Sequence, residues 1–201
     1  MRLLAVTKTV SVERIREAVS LGMKDFGENR VQEAMEKRPG LSAALEGTTQ
    51  HLIGPLQTNK ARKAMEFFDV VQSVDRPKLA ETLDRIGGEM GKTQRCLVEV
   101  KIAPEASKSG VAFEEAAAFV ERFSAYKNLR LEGLMTIGGL GLSVDETRAA
   151  FERMARLFGS LRSAFGPAPV LSMGMSDDFE IAIEAGSTMV RIGRALFGER
   201  A

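Results

Sequence analysis

Lys8 stands at the exit of an apolar run, LLAVTKT, and the segment GSTMVRIG near the other end of the chain gathers Gly186, Ser187, Thr188, Arg191 and Gly193 within eight positions. A lysine amine adds to an aldehyde to form a Schiff base, while a turn rich in glycine, serine and threonine presents backbone N–H groups and hydroxyls to a phosphate. Together they describe a site for one ligand that is both an aldehyde and a phosphate ester. His51, the single histidine, reads as a hydrogen-bonded lining residue, because neither a second histidine nor a cysteine cluster accompanies it to hold a metal. Asp177 and Asp178 after MGMS look like paired acids, but Asp177 is placed to cap the helix FEIAIEAG. Met173 and Met175 offer filling around a flat ring rather than chemistry.

The elements that must position these residues alternate along the chain. Strand-like runs fall at 3–7, 25–28, 51–54, 70–74, 95–102, 131–137, 170–173 and 189–192. Between them, apolar residues at three- and four-residue spacing predict helices, most clearly over 12–21, 76–90, 113–126 and 144–165. Ser11 and Thr58 are candidate caps for the first helix and for the one beginning NKARKAMEFF. Such alternation gives βαβ units and a parallel sheet. Eight units predict an α/β fold, a single (β/α)8 TIM barrel covering 1–201. An open doubly wound sheet would carry GxGxxG after its first strand, where this chain has VTKTVS. Barrel closure makes strands 1 and 8 neighbours, bringing Lys8 beside GSTMVRIG, and the loops after strands 7 and 8 often hold phosphate. GGLGLS at 138–143 is the most flexible-looking stretch, a mouth loop readable as connector or lid.

Composition narrows the function. The chain has 201 residues with 44% hydrophobic, enough for one core, and a formal net charge of +1. That balance gives no electrostatic case for nucleic acid or an anionic membrane. Apolar runs fall short of a membrane span, and residues 1–20 lack the layout of a signal peptide, so a cytoplasmic protein is expected. Cys96, the sole cysteine, leaves no intrachain disulfide and reads as a buried strand residue in CLVEV.

Aldehyde capture and phosphate holding are together the demands of pyridoxal 5'-phosphate (PLP). LLAVTKT, FGENRVQE, HLIGPLQTNK, SVD, EASKSG, LEGLMTIG, LSMGMSDDFEIAI and GSTMVRIGRALFG, in that order across 3–198, closely resemble the YggS/PROSC family of pyridoxal-phosphate-binding homeostasis proteins. That family is similar to the barrel domain of bacterial alanine racemase, a fold-type III PLP protein. The resemblance implies that Lys8 carries the Schiff base, that Ser187 and Thr188 with the Gly193 backbone hold the phosphate, and that Arg191 faces the pyridine nitrogen. It also implies that Asn29, His51, Ser172 and Met173 line the pocket at the ends of strands 2, 3 and 7, with Asn29 donating to the ring oxygen. A permanently cationic guanidinium can only donate, which favours an unprotonated ring and discourages carbanion chemistry. Two departures stand out. Only Met1 and Arg2 precede LLAVTKT, where family members have a further helical segment, and Gln50 and Leu52 replace aromatics of the third-strand motif. The first predicts apolar residues on strand 1 and on helices 1 and 8 that are exposed or covered by another subunit.

Racemisation needs two bases on opposite faces of the ring, and in alanine racemase the second is a tyrosine from another domain. The only tyrosine here, Tyr126, falls at the end of a predicted outer helix. The expected protein is therefore not an enzyme, with no catalytic residue or metal. It is a PLP carrier and homeostasis protein, monomer or weak homodimer, with apo PLP-dependent enzymes as candidate recipients. A weak amino-acid racemase or other PLP enzyme, and a PLP-sensing interaction protein, are the alternatives. Lys108 in SKSG, after strand 5, is a candidate second amine at the mouth.

Overall fold

The computed structural model describes residues 1–102, 109–139 and 141–198. Its strands are β1 (Arg2–Val6), β2 (Asp25–Glu28), β3 (Thr49–Leu52), β4 (Val70–Val74), β5 (Gln94–Glu99), β6 (Leu129–Met135), β7 (Val170–Ser172) and β8 (Met189–Ile192). All pair in parallel in chain order and close into a barrel, with Leu4 opposite Arg191 and Ala5 opposite Ile192 across the β1–β8 seam. The helices are α1 (Val12–Ser20), α2 (Val31–Leu41), α3 (Ala61–Phe67), α4 (Pro77–Met90), α5 (Ala116–Glu121), α6 (Val144–Ser160), α7 (Phe179–Glu184) and α8 (Arg194–Phe197). No helix among the described residues is long and apolar enough to cross a membrane.

Strand periodicity divides the side chains into two layers. Leu4, Val6, Val70, Leu97, Met135, Val170 and Met189 fill the barrel interior. Their neighbours, among them Leu52, Val71, Cys96, Val98, Leu134, Leu171 and Met173, pack outward against the helices. Met173 thus belongs to the layer between sheet and helices. It does not line a pocket, a correction that follows from the one-residue alternation past the inward Ser172. Cys96 is fully buried, and burial pushes its thiol pKa up. On the outer face near the chain start, Leu3 is 37% exposed and Leu196 41%. Ile15 and Phe197 are instead covered with Ala5 and Phe26, so the uncovered face is smaller than expected.

Local chemistry sets the ends of these elements. Ser143 and Glu146 form a reciprocal capping box at the start of α6, Pro77 opens α4, and Gly91 closes it at φ 62°. Ser11 occupies the N-cap of α1 without a side-chain capping bond, and Thr58 lies in a 3-10 turn ahead of α3. The helix α2 escapes the spacing reading because Pro39 lies inside it and Pro-Gly reads as a break. Its C-terminal end is held from outside, with the Arg16 guanidinium donating to the Gly40 carbonyl at 2.6 Å.

Candidate functional site

The exits of the strands surround a cavity of about 620 Å³ walled by Val6, Lys8, Asn29, Ile53, Ile137, Met175, Ser176, Asp177, Arg191, Gly193 and Arg194. Four of the residues expected from sequence meet here: Lys8, Asn29, Arg191 and Gly193. Each follows from topology. Lys8 lies in the turn after β1, Asn29 one residue past β2, and Arg191 on β8 with Gly193 just past it. Asn29 is seated by a close approach, since a Cβ added to Gly54 would stand 2.1 Å from its carbonyl oxygen. Its Oδ1 is buried with no hydrogen-bond partner among the described residues. Gly174, at φ 97°, turns the chain after β7, where a Cβ would meet that of Ala182 at 2.6 Å. That turn carries residues 175–178 over the mouth.

Arg191 is buried and held by the chain. Its Nη1 donates to the Ser172 carbonyl and hydroxyl, both at 2.9 Å, and Nη2 donates to the Thr136 carbonyl at 2.8 Å. Burial lowers its pKa to about 10, opposed by the nearby Asp178 and Glu99 carboxylates, so it remains cationic at neutral pH. The buried Glu99, which accepts from the Ser109 hydroxyl at 2.9 Å, has its own pKa raised by burial.

From Arg191 a directed chain of hydrogen bonds runs through the barrel. The Ser172 hydroxyl donates to Gln72 Oε1 at 2.8 Å, the Gln72 amide approaches His51 Nδ1 at 3.0 Å, and His51 Nε2 approaches Asp25 Oδ1 at 3.0 Å. Asp25 in turn pairs with Arg2. With Gln72 donating, Nδ1 must accept and Nε2 must carry the proton. Burial lowers the His51 pKa despite Asp25. His51 and Ser172 therefore lie in the interior, at hydrogen-bonding distance from groups inside the barrel, and neither forms part of the cavity wall. For His51 the reason is that its ring is held inside the barrel between Gln72 and Asp25 on the neighbouring strands.

Ser187 and Thr188 require the firmest correction. They precede β8, on the side where strands enter the barrel, and the Thr188 carbonyl accepts from the Arg2 N–H at 2.8 Å. The Ser187 hydroxyl lies 2.8 to 3.2 Å from three carbonyl oxygens, those of Leu171, Met173 and Met189. Thr188 Oγ1 accepts from the Leu171 N–H at 2.8 Å. Both hydroxyls close the turn and lie at the opposite end from Lys8. In the loops after β7 and β8, the polar side chains that share the wall with Lys8 are those of Ser176, Asp177 and Arg194. Following the loops after those strands, rather than the densest run of hydroxyls, leads to them. Asp177 pairs with Arg194, and it is Asp178 that occupies the N-cap of α7, accepting from the Met175 N–H at 2.6 Å. Lys108, and Leu140 of the GGLGLS loop, lie outside the described residues.

Comparison with known proteins places this geometry in context. The pattern described as "Alanine racemase, N-terminal domain" matches residues 1–201. A pyridoxal phosphate homeostasis protein of Synechocystis is 41% identical over 201 residues, covering 100% of this chain and 92% of its own. One from Pseudomonas aeruginosa is 44% identical over 199 residues, covering 98% and 84%. The structure of PipY from Synechococcus elongatus with PLP bound superposes with a TM-score of 0.91 at 41% identity, over 98% of this chain and 92% of PipY. An alanine racemase of Clostridium difficile, at 15% identity and TM-score 0.78, covers 99% of this chain and 52% of the racemase, and shares the fold.

Proposed function

The chain belongs to the family of the alanine racemase N-terminal domain, and from that premise we propose that it binds PLP at the barrel mouth and serves as a PLP carrier and homeostasis protein rather than an enzyme. The observation that carries this reading is the wall shared by Lys8, Asn29, Arg191 and Gly193 around one cavity of about 620 Å³. The donor set suits the ligand. It combines an amine, a buried cation, hydroxyl and backbone groups at Ser176 and Gly193, and a carboxamide whose oxygen has no hydrogen-bond partner among the described residues. When bound, PLP supplies an aldehyde that condenses with a lysine amine and releases water. Lys8 provides that amine.

Ser176, the Gly193 backbone and Arg194 would hold the phosphate, taking the place first given to Ser187 and Thr188. Arg191 would face the ring nitrogen as a fixed cation that donates and does not accept, disfavouring ring protonation. Met175 and the apolar Val6, Ile53 and Ile137 would exclude water from the ring. Tyr126 packs edge-on against Phe123, outside the cavity wall, so it offers no second base there. The relatives named as PLP homeostasis proteins support the carrier reading.

Borohydride reduction of the PLP-loaded protein followed by peptide mapping tests the assignment. A pyridoxyl group on Lys8, lost in Lys8→Ala, is expected; a modification mapping chiefly elsewhere with Lys8 intact overturns it. Assays with D- and L-amino acids separate carrier from racemase, and turnover above the rate of free PLP would restore the enzymatic reading.

A further inference from the structure

Thr9 is the one residue other than glycine with a left-handed backbone among the described residues, at φ 63°. For a β-branched side chain this conformation is a genuine outlier. Backbone strain persists only where the surroundings impose it, and here it adjoins the amine on which the cofactor reading depends.

The surroundings that impose it come from β2 and α2. The Thr9 N–H donates to Glu33 Oε1 at 2.6 Å, and the Thr7 carbonyl accepts from Lys37 Nζ at 2.7 Å. The two backbone groups that flank Lys8 are therefore both held by side chains of one helix. Lys37 is itself fixed by Glu33 Oε1 at 2.6 Å and by Glu28 Oε1 at 2.9 Å. Glu28 Oε1 also accepts from the Thr7 hydroxyl at 2.8 Å. These groups are largely buried, with side-chain exposures of 14% for Lys37, 24% for Glu33 and 7% for Glu28. A fold seeking only a tight turn would place glycine at position 9, where φ > 0 carries no Cβ penalty. A charged clamp around a strained threonine instead fixes the direction in which the preceding residue leaves the backbone.

We propose that Glu33 and Lys37 are positioning residues for Lys8, holding the Thr7–Thr9 turn in its strained form so that the amine is aimed at the ligand in the barrel mouth. The inference rests on the PLP reading and deepens it. Without the clamp, Thr9 relaxes to negative φ and the Cα–Cβ direction of Lys8 changes. Small misplacements of a reacting group lower its reactivity steeply.

The test compares PLP with 4'-deoxypyridoxine 5'-phosphate, which keeps ring and phosphate but lacks the aldehyde. Wild type, Glu33→Ala, Lys37→Met, Thr9→Gly and the double variant Glu33→Ala/Thr9→Gly are titrated with both, and the PLP adduct is trapped with borohydride. The clamp variants should lose adduct formation by on the order of tenfold to a hundredfold while binding the deoxy compound as wild type does. Thr9→Gly should restore part of the adduct in the Glu33→Ala background, because glycine enters the left-handed region without the clamp. Equal weakening of both ligands, or no loss of adduct, overturns the positioning role. Wild type that binds the deoxy compound but forms no adduct with PLP overturns the covalent reading instead. Should Glu33→Ala fail to fold, Lys37→Met and the double variant Lys37→Met/Thr9→Gly, which remove the hold on the Thr7 carbonyl, carry the same comparison.

Discussion

The two ends of this barrel carry similar side chains and use them oppositely. Where the strands enter, Ser187, Thr188, Asp25 and Arg2 turn on one another and on nearby backbone, and the turn before β8 is closed by its own hydroxyls. Where the strands leave, Lys8, Asn29, Ser176, Arg191 and Arg194 face a common cavity. Residue type does not distinguish the ends; position before or after the strand does. A serine whose one hydroxyl proton is taken up by the backbone carbonyls around it contributes to stability, whereas a serine one loop away on the exit side is available to a ligand.

Arg191 joins the two ends, and removing it should have the largest effect. Arg191→Leu leaves the Thr136 and Ser172 acceptors without their donor and the neighbouring Asp178 and Glu99 charges without their cation. Each buried acceptor left without its donor costs about 1–3 kcal/mol, and Arg191 serves three of them. Urea unfolding should show a loss of that order, together with loss of PLP binding. A variant of wild-type stability would mean that Arg191 is not a shared anchor of both ends.

The contrast sharpens with two serines. Ser187→Ala should lower stability by about 0.5–1.5 kcal/mol, the net worth of one buried hydrogen bond, and leave PLP affinity unchanged. Ser176→Ala should leave stability unchanged and weaken PLP more than pyridoxal, which lacks the phosphate. If the two phenotypes were exchanged, the assignment of ends would be reversed.

Much of this architecture was legible before the structure. The strands at 25–28, 70–74 and 189–192 coincide with β2, β4 and β8; VVQSV and MVRI are short β-branched or apolar runs with few other solutions, whereas DFGE owes its place to the spacing of the units on either side. Lys8, Asn29 and Gly193 lie at the mouth because each follows a strand's exit, and Arg191 shares the same wall from within β8. What failed depended on direction and on contacts distant in sequence. Ser187 and Thr188 were read by composition, although they precede their strand. Met173 lies one residue from an inward position and so points outward. His51 looked like a lining residue because nothing in the sequence shows that Gln72 and Asp25, on the strands either side of it, flank its ring. Glu33 and Lys37 lie within and just after FGENRVQE, but their hold on the Thr7–Thr9 turn is a tertiary contact without a local signal.

His51 gives a pH test of the closed end. Burial holds its pKa below the ordinary 6.5, so the native state refuses a proton that the unfolded chain accepts. Below about pH 6.5 the unfolded state binds more protons, and stability falls as pH drops. It is fully present above that value. Asp25, whose pKa is lowered from 3.8 by its bonds to His51 and Arg2 against an opposing effect of burial, loses its contribution only at more acid pH. The raised carboxyl pKa values of Glu28, Glu99 and Asp178 act with the opposite sign. The difference between wild type and His51→Gln therefore isolates the imidazole. The variant's stability should fall less between about pH 6.5 and pH 4.5; parallel curves would show that His51 can be protonated in the native state.

The smallest expected effect comes from the open end itself. Asp177 pairs with Arg194 at the rim, with side-chain exposures of 79% and 52%. An exposed pair of this kind is worth about 0–1 kcal/mol after screening and side-chain ordering. Because the pair also lies in the wall that would receive a phosphate, the carboxylate competes with that phosphate for Arg194 and repels it. Asp177→Asn should therefore leave the unfolding midpoint unchanged and strengthen PLP binding by no more than about fivefold, the factor equivalent to ~1 kcal/mol. The gain should shrink as salt is raised, since the groups involved are solvent-exposed. Weaker PLP binding in Asp177→Asn would instead show that the pair orders Arg194 for the ligand, and the open end would then resemble the closed one in relying on contacts made within the chain.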